Sequence, residues 1–218
     1  MKSSALAQMA LLLVLACATA AQSEAASPPV VVTLETERGV IVLEVDVARA
    51  PLTAANFLRY LDGGRYDGGG FHRTVRLDNQ PGQSALIEVI QAGVNPEQGA
   101  SDHAPIPLER TNETGLRHRD GTLSMARNGP DTATSDFFIC IGDQPSLDFG
   151  GKRNPDGQGF AAFGRVVKGM EVVRRIQASA ADGQRLTPPI LIRTARRVLK
   201  GARLAAPFST PPLLHPSQ

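Results

Sequence analysis

The sequence predicts a mainly β fold, a closed antiparallel barrel accompanied by two α-helices, and three observations point to it. Gly (21) and Pro (16) are plentiful while Trp is absent and Tyr occurs twice, a balance that favours turn-rich β architecture over a helical bundle. Short β-branched runs separated by turn residues recur along the chain, and only two segments carry helical periodicity. Strands this short and numerous would expose many edges unless the sheet closed on itself, so a barrel is preferred, with a sandwich as the structural alternative.

The elements follow in order. VVVTLET (30–36) and VIVLEVD (40–46) flank Glu37-Arg38-Gly39, a hairpin signal with Gly at the turn. Pro51 opens a helix in which Ala54, Phe57, Leu58 and Leu61 share one face, and Gly63-Gly64 stop it. FHRTVR (71–76) is a strand, the polar stretch 77–86 with Pro81-Gly82 a loop, and IEVIQ (87–91) a strand again. Residues 92–120 form a long loop rich in Gly, Asn, Pro and His, of the kind that usually carries function in a compact domain. GTLSMA (121–126) and DFFICIG (136–142) read as buried strands around a polar turn, and a second loop spans 143–159. FAAFGRVV (160–167) is a strand, a short helix runs from Gly169-Met170 to about Ala178, and PILIRTARRVL (189–199) closes the fold.

A chain of 218 residues fits one domain with tails. Lys2, the apolar run Met9–Ala16 and the small residues Ala18 and Ala20 predict a secretory signal peptide over 1–20, followed by a linker (21–29), the domain (30–200) and a disordered tail (201–218). The expectation is an exported protein, periplasmic if the source is a Gram-negative bacterium. The apolar run is too short to span a bilayer, and no later segment approaches the necessary length. Cys17 is a poor fit to a lipid-attachment signal because Leu15 is large, so a lipid anchor there is the minor alternative. Cleavage after Ala20 leaves Cys140 as the sole cysteine and no intramolecular disulfide.

Lys plus Arg total 23 against 21 Asp plus Glu, which gives no polyelectrolyte signature for nucleic acid or an anionic membrane. There is no GxSxG, no HExxH, no phosphate-binding glycine motif and no cysteine pair at metal spacing, so hydrolytic, cofactor and metal chemistries have no support. His72, His103, His118 and His215 are scattered and read as solvated loop histidines; a metal shared by His103 and His118 is the competing idea.

A set of fragments stands out. YDG (66–68) before FHR (71–73), IQAG (90–93), GTLSMAR (121–127), SDFFIC (135–140), SLD (146–148) and FAAFGRVVKGMEVV (160–173) occur in an order that resembles the cyclophilin family of peptidyl-prolyl cis/trans isomerases over about residues 30–200. The resemblance implies a closed eight-stranded antiparallel barrel capped by two α-helices, with the proline site on its outer surface. It assigns catalysis to Arg73 and Gln91 and substrate binding to Phe71, Val89, Ala126, Arg127, Asp136, Phe138, Leu147 and Phe160. Phe138 should floor the proline pocket, Leu147 and Phe160 wall it, Gln91 orient Arg73, and Ala126 and Arg127 offer backbone contacts to the residue before proline. No metal, nucleotide or other cofactor is implied. The partners are unfolded or flexible proline-containing polypeptides, and a monomer is expected.

The departures are specific. The family's usual Phe-Met pair before the glutamine is Glu88-Val89 here, and about ten extra residues separate FHR from IQAG. Asp136 stands where the family often has Gln, Phe160 where many members carry His or Tyr, and Ser146 where many carry Trp. An Asp at 136 near Arg73 is placed to pair with it and either orient or occupy it, so its replacement by Gln should alter turnover, and the missing Trp implies weak binding of the drug cyclosporin. A binding module with little turnover is the alternative function, and retention of Arg73 favours the enzyme.

Overall fold

The structure, a computed structural model, describes residues 27–98 and 103–198; the predicted signal peptide and tail lie outside these residues. The N-terminal hairpin pairs Val30–Thr36 (β1) with Gly39–Val45 (β2), and Gly39 at φ +130° supplies a turn geometry that L side chains rarely adopt. Seven further strands follow: Gly70–Val75 (β3), Val89–Gly93 (β4), Thr122–Met125 (β5), Phe137–Cys140 (β6), Ala162–Lys168 (β7), Ala181–Asp182 (β8) and Arg185–Arg197 (β9). They form one sheet in the order β1-β2-β7-β5-β6-β4-β3-β9-β8, and β1 also pairs antiparallel with β9. That pairing closes eight strands into a barrel, with β8 a two-residue appendage to β9, so closure rather than a sandwich resolves the edges.

Pro51–Asp62 (α1) and Met170–Gln177 (α3) are the two predicted helices, and a single turn, Thr111–Thr114 (α2), lies within the long loop. Pro51 suits the first helical turn because its missing N–H would have no partner there. The next donors are met from far away: the Glu109 carboxylate accepts from the Leu52 and Thr53 amides at 3.1 and 2.7 Å, so the long loop caps α1. Inside the barrel Phe57 of α1 packs against Tyr66, Phe137 and Phe163 with ring centroids 5.2–5.3 Å apart, and the lumen is filled.

Among the boundaries that differ from those expected, two bear on the neighbourhood of Arg73. β4 begins at Val89 rather than Ile87, because Ile87 exchanges hydrogen bonds with the Gln80 side chain instead of a neighbouring strand. β9 begins at Arg185, four residues ahead of the expected start at Pro189, and takes in both prolines. Its register against β3 jumps from Phe71↔Ile190 to Arg73↔Arg185, so Pro188 and Pro189 fall in an irregular stretch where no ladder donor is required.

Candidate active site

Strand alternation divides the side chains of β4 and β6 between two clusters. Ile90, Phe137 and Ile139 point into the lumen, whereas Val89, Phe138 and Cys140 join Val75, Ile87 and Leu147 in a separate apolar cluster on the outer wall, with Ala126 and Phe160 packed against it. This cluster floors a hollow of about 340 Å³ whose lining includes Arg73, Gln91, Arg127, Asp136 and Arg153. The register places Arg73 opposite Gln91, Gln91 opposite Phe138 and Phe138 opposite Ser124, so one row across four strands sets the polar and apolar parts side by side.

Arg73 is tightly held. Its Nη1 donates to Gln91 Oε1 at 3.0 Å, and Nε and Nη2 donate to Gln184 Oε1 at 2.9 and 2.6 Å. Both acceptors are neutral, so the guanidinium is oriented without being neutralised; its burial draws it below the ordinary arginine range without discharging it. Gln91 donates through Nε2 to Asp136 Oδ2 at 3.0 Å, and His72 Nε2 approaches the same oxygen at 3.5 Å. The expected direct pairing of Asp136 with Arg73 is thus corrected: Gln91 stands between them. A carboxylate can only accept, so it selects the amide orientation of Gln91 that turns Oε1 toward Arg73. Gly93 makes this possible, since a Cβ there would lie 2.5 Å from Asp136 Oδ1.

The remaining predicted residues are placed as follows. Phe138, Leu147, Val89, Ala126 and Phe160 line the hollow, with Phe160 edge-on to Phe138 at a centroid distance of 5.4 Å. Arg127 lines it too, but its side chain is 1% exposed and committed to Asp156 (2.7 and 2.9 Å) and to the Gly159 carbonyl, with its guanidinium 4.9 Å from the Phe160 ring centre. It braces a wall. The Ala126 amide already bonds the Asp136 carbonyl, which narrows its offer to a substrate to its own carbonyl. Phe71 is not brought to the hollow: it is fully buried in the lumen against Phe137. Two residues apart on an ideal strand, Phe71 and Arg73 would share a face, but an irregularity between them, in register with both β4 and β9, sends one inward and the other outward. Glu88 turns away to accept from Gln177 at the end of α3.

The family profile described as cyclophilin type peptidyl-prolyl cis-trans isomerase/CLD matches residues 31–197. The chain is a cyclophilin-type peptidyl-prolyl cis/trans isomerase. It is 38% identical over 172 residues to Peptidyl-prolyl cis-trans isomerase cyp18 of Streptomyces antibioticus, covering 76% of this chain and 96% of that one. Similar values hold for Peptidyl-prolyl cis-trans isomerase A of Dickeya dadantii (35%, covering 78% and 85%) and isomerase B of Escherichia coli (36%, covering 68% and 85%). In fold it resembles a cyclophilin type isomerase of Cryptosporidium parvum, with a TM-score of 0.63 at 23% identity over 78% of this chain and 98% of that one.

Several contributors to this cyclophilin's site carry no signal in the sequence. Gln184 sits in the β8–β9 turn, and only the folded register brings it to Arg73. His118, expected to be solvated, is 1% exposed: Nδ1 bonds Asp148 Oδ1 at 2.8 Å and Nε2 bonds Ser124 Oγ at 2.9 Å, while the ring stacks on Phe138. With both nitrogens occupied it has no atom for a metal shared with His103, which packs on Tyr60 instead. The set has the composition of a hydrolytic triad, yet Ser124 is fully buried, so the hydroxyl meets no substrate and the three residues prop the Phe138 floor of the hollow from behind.

Proposed function

We propose that the outer-wall hollow is the proline site, with Arg73 as the catalytic donor, and that the protein acts on Xaa-Pro bonds of exported polypeptides during folding. A charged donor fixed by Gln91 and Gln184 beside the apolar floor of Phe138, Leu147 and Val89 carries this reading. Rotation about a peptide bond costs about 18–20 kcal/mol because amide resonance must be broken. As the bond twists, the prolyl nitrogen becomes pyramidal and gains a lone pair that neither planar isomer offers. A donor held toward that nitrogen binds the twisted state better than the flat ones, which is the condition for catalysis.

The magnitudes assign the labour. One charged hydrogen bond contributes about 1.5–3 kcal/mol, one or two decades in rate, so Arg73 acts together with the apolar seat for the ring and with contacts to the flanking backbone. No covalent bond forms or breaks. Export is supported by Lys2, the apolar run and the small residues near Ala20. The test is isomerisation of a short Ala-Pro peptide: Arg73→Ala is expected to lose at least about tenfold in kcat/KM with an unchanged circular dichroism spectrum. Full activity in that variant would remove Arg73 from the reaction.

A further inference from the structure

Besides Arg73 and Arg127, a third guanidinium lines the hollow, and the proposed reaction does not use it. Arg153 projects from the 143–159 loop, and its Nη1 donates to Gln80 Oε1 at 2.8 Å and to the Ala85 carbonyl at 2.9 Å. Both acceptors belong to the 77–86 segment between β3 and β4. Gln80 is 5% exposed and secured on its other sides: Nε2 donates to the carbonyls of Arg76 and Ile87 at 2.7 and 2.8 Å, and Oε1 also accepts from the Ile87 amide at 3.2 Å. A buried, saturated glutamine thus fixes where the Arg153 head sits. The same segment reaches the other arginine, since the Asn79 carbonyl accepts from Gln184 Nε2 at 2.9 Å and Gln184 holds Arg73.

The charge balance of the hollow is uneven. Arg127 is neutralised by Asp156, whereas among the described residues neither Arg73 nor Arg153 has a carboxylate within ion-pair distance. Asp136 is engaged with Gln91 and faces His72. Burial and, after it, the charge of Arg73 draw Arg153 below the ordinary arginine range, so the two cations sense each other across the hollow. An anion placed beside them would relieve that repulsion and accept from the remaining guanidinium donors.

We propose that Arg153, positioned by Gln80, is a specificity residue that binds an Asp or Glu side chain flanking the proline, so that this isomerase prefers acidic segments. The proposal rests on the hollow being the proline site. A peptide series built on Ala-Pro, with Asp, Asn or Lys at each position from two before to two after the Xaa-Pro pair, tests it by the ratio of kcat/KM for Asp over its isostere Asn. Because both peptides are assayed on the same preparation, the ratio does not depend on how much of a variant is folded. The wild type is expected to favour Asp by about fivefold at one or more positions, with the preference shrinking in about 0.5 M salt. Arg153→Gln should bring the ratio close to one, while Arg153→Lys keeps part of it. A wild-type ratio near one at every position, or a preference that persists in Arg153→Gln, overturns the proposal while leaving the proline site intact. Full turnover by Arg73→Ala on the same peptides overturns the reading of the hollow itself, and the Arg153 proposal with it.

Discussion

Arg73 keeps its charge and its aim because its nearest partners are two glutamine carbonyls, and the orientation of one is set by Asp136. Asp136 is therefore a positioning residue. Asp136→Asn, which can donate as well as accept, releases the constraint on the Gln91 amide; kcat is expected to fall about threefold to tenfold with KM little changed and Tm within about 2 °C of wild type. An equal loss in thermal stability without a change in kcat would reduce Asp136 to packing. At this scale the motif fragments supply Arg73, Gln91, Phe138 and Leu147, and the fold brings these four to the lining of one hollow. Phe71 could not be placed from its spacing, because the irregularity beside it is set by how β3 meets two neighbouring strands. Gln184 and Arg153 lie far from Arg73 in the chain and in no recognisable motif, so only tertiary register reveals them.

Among the elements, the segment before β5 and the 3₁₀ turn Pro145–Leu147 are locked together through His118 and Asp148. Burial pushes the Asp148 carboxyl up, but hydrogen bonds from the His118 ring and amide, with the charges of His118 and Arg117, outweigh it and hold the group below its ordinary value of 3.8. A depressed folded value means that the stabilisation is present above the unfolded value and is lost as pH falls through the folded one. In urea unfolding, the stability advantage of wild type over Asp148→Asn should be constant between about pH 7 and 5 and narrow below about pH 4. A gap that stays constant into acid would show that the carboxylate charge contributes nothing. The strand and helix pattern was readable because periods of two and 3.6 survive in short windows. The role of His118 was not, since a histidine in a polar loop looks the same whether it faces water or three buried partners.

For the whole molecule, closure depends on β9, whose Ile192–Arg197 end pairs with β1, four of the five pairs lying at Thr194–Arg197, while its earlier part serves β3. A chain ending at residue 193 is expected to lose cooperative thermal unfolding, because β1 would gain an unpaired edge and Ala195 would leave the core. A chain ending at 198 should retain the wild-type Tm and isomerase activity, in keeping with a family match that stops at 197. Thermal melts of the two truncations distinguish these outcomes. That the sheet closes follows from the liability of many short edges; which strands meet to close it is not readable, because a pairing that joins opposite ends of the domain leaves no local trace.

The lumen, packed with Phe57, Phe137 and Phe163, admits nothing, and the hollow proposed as the proline site lies on the outside of the wall. A client therefore has no tunnel to enter and needs no free terminus. A proline in the middle of a long, half-folded strand of polypeptide can be laid against the enzyme from the side, turned, and let go while both ends remain anchored elsewhere.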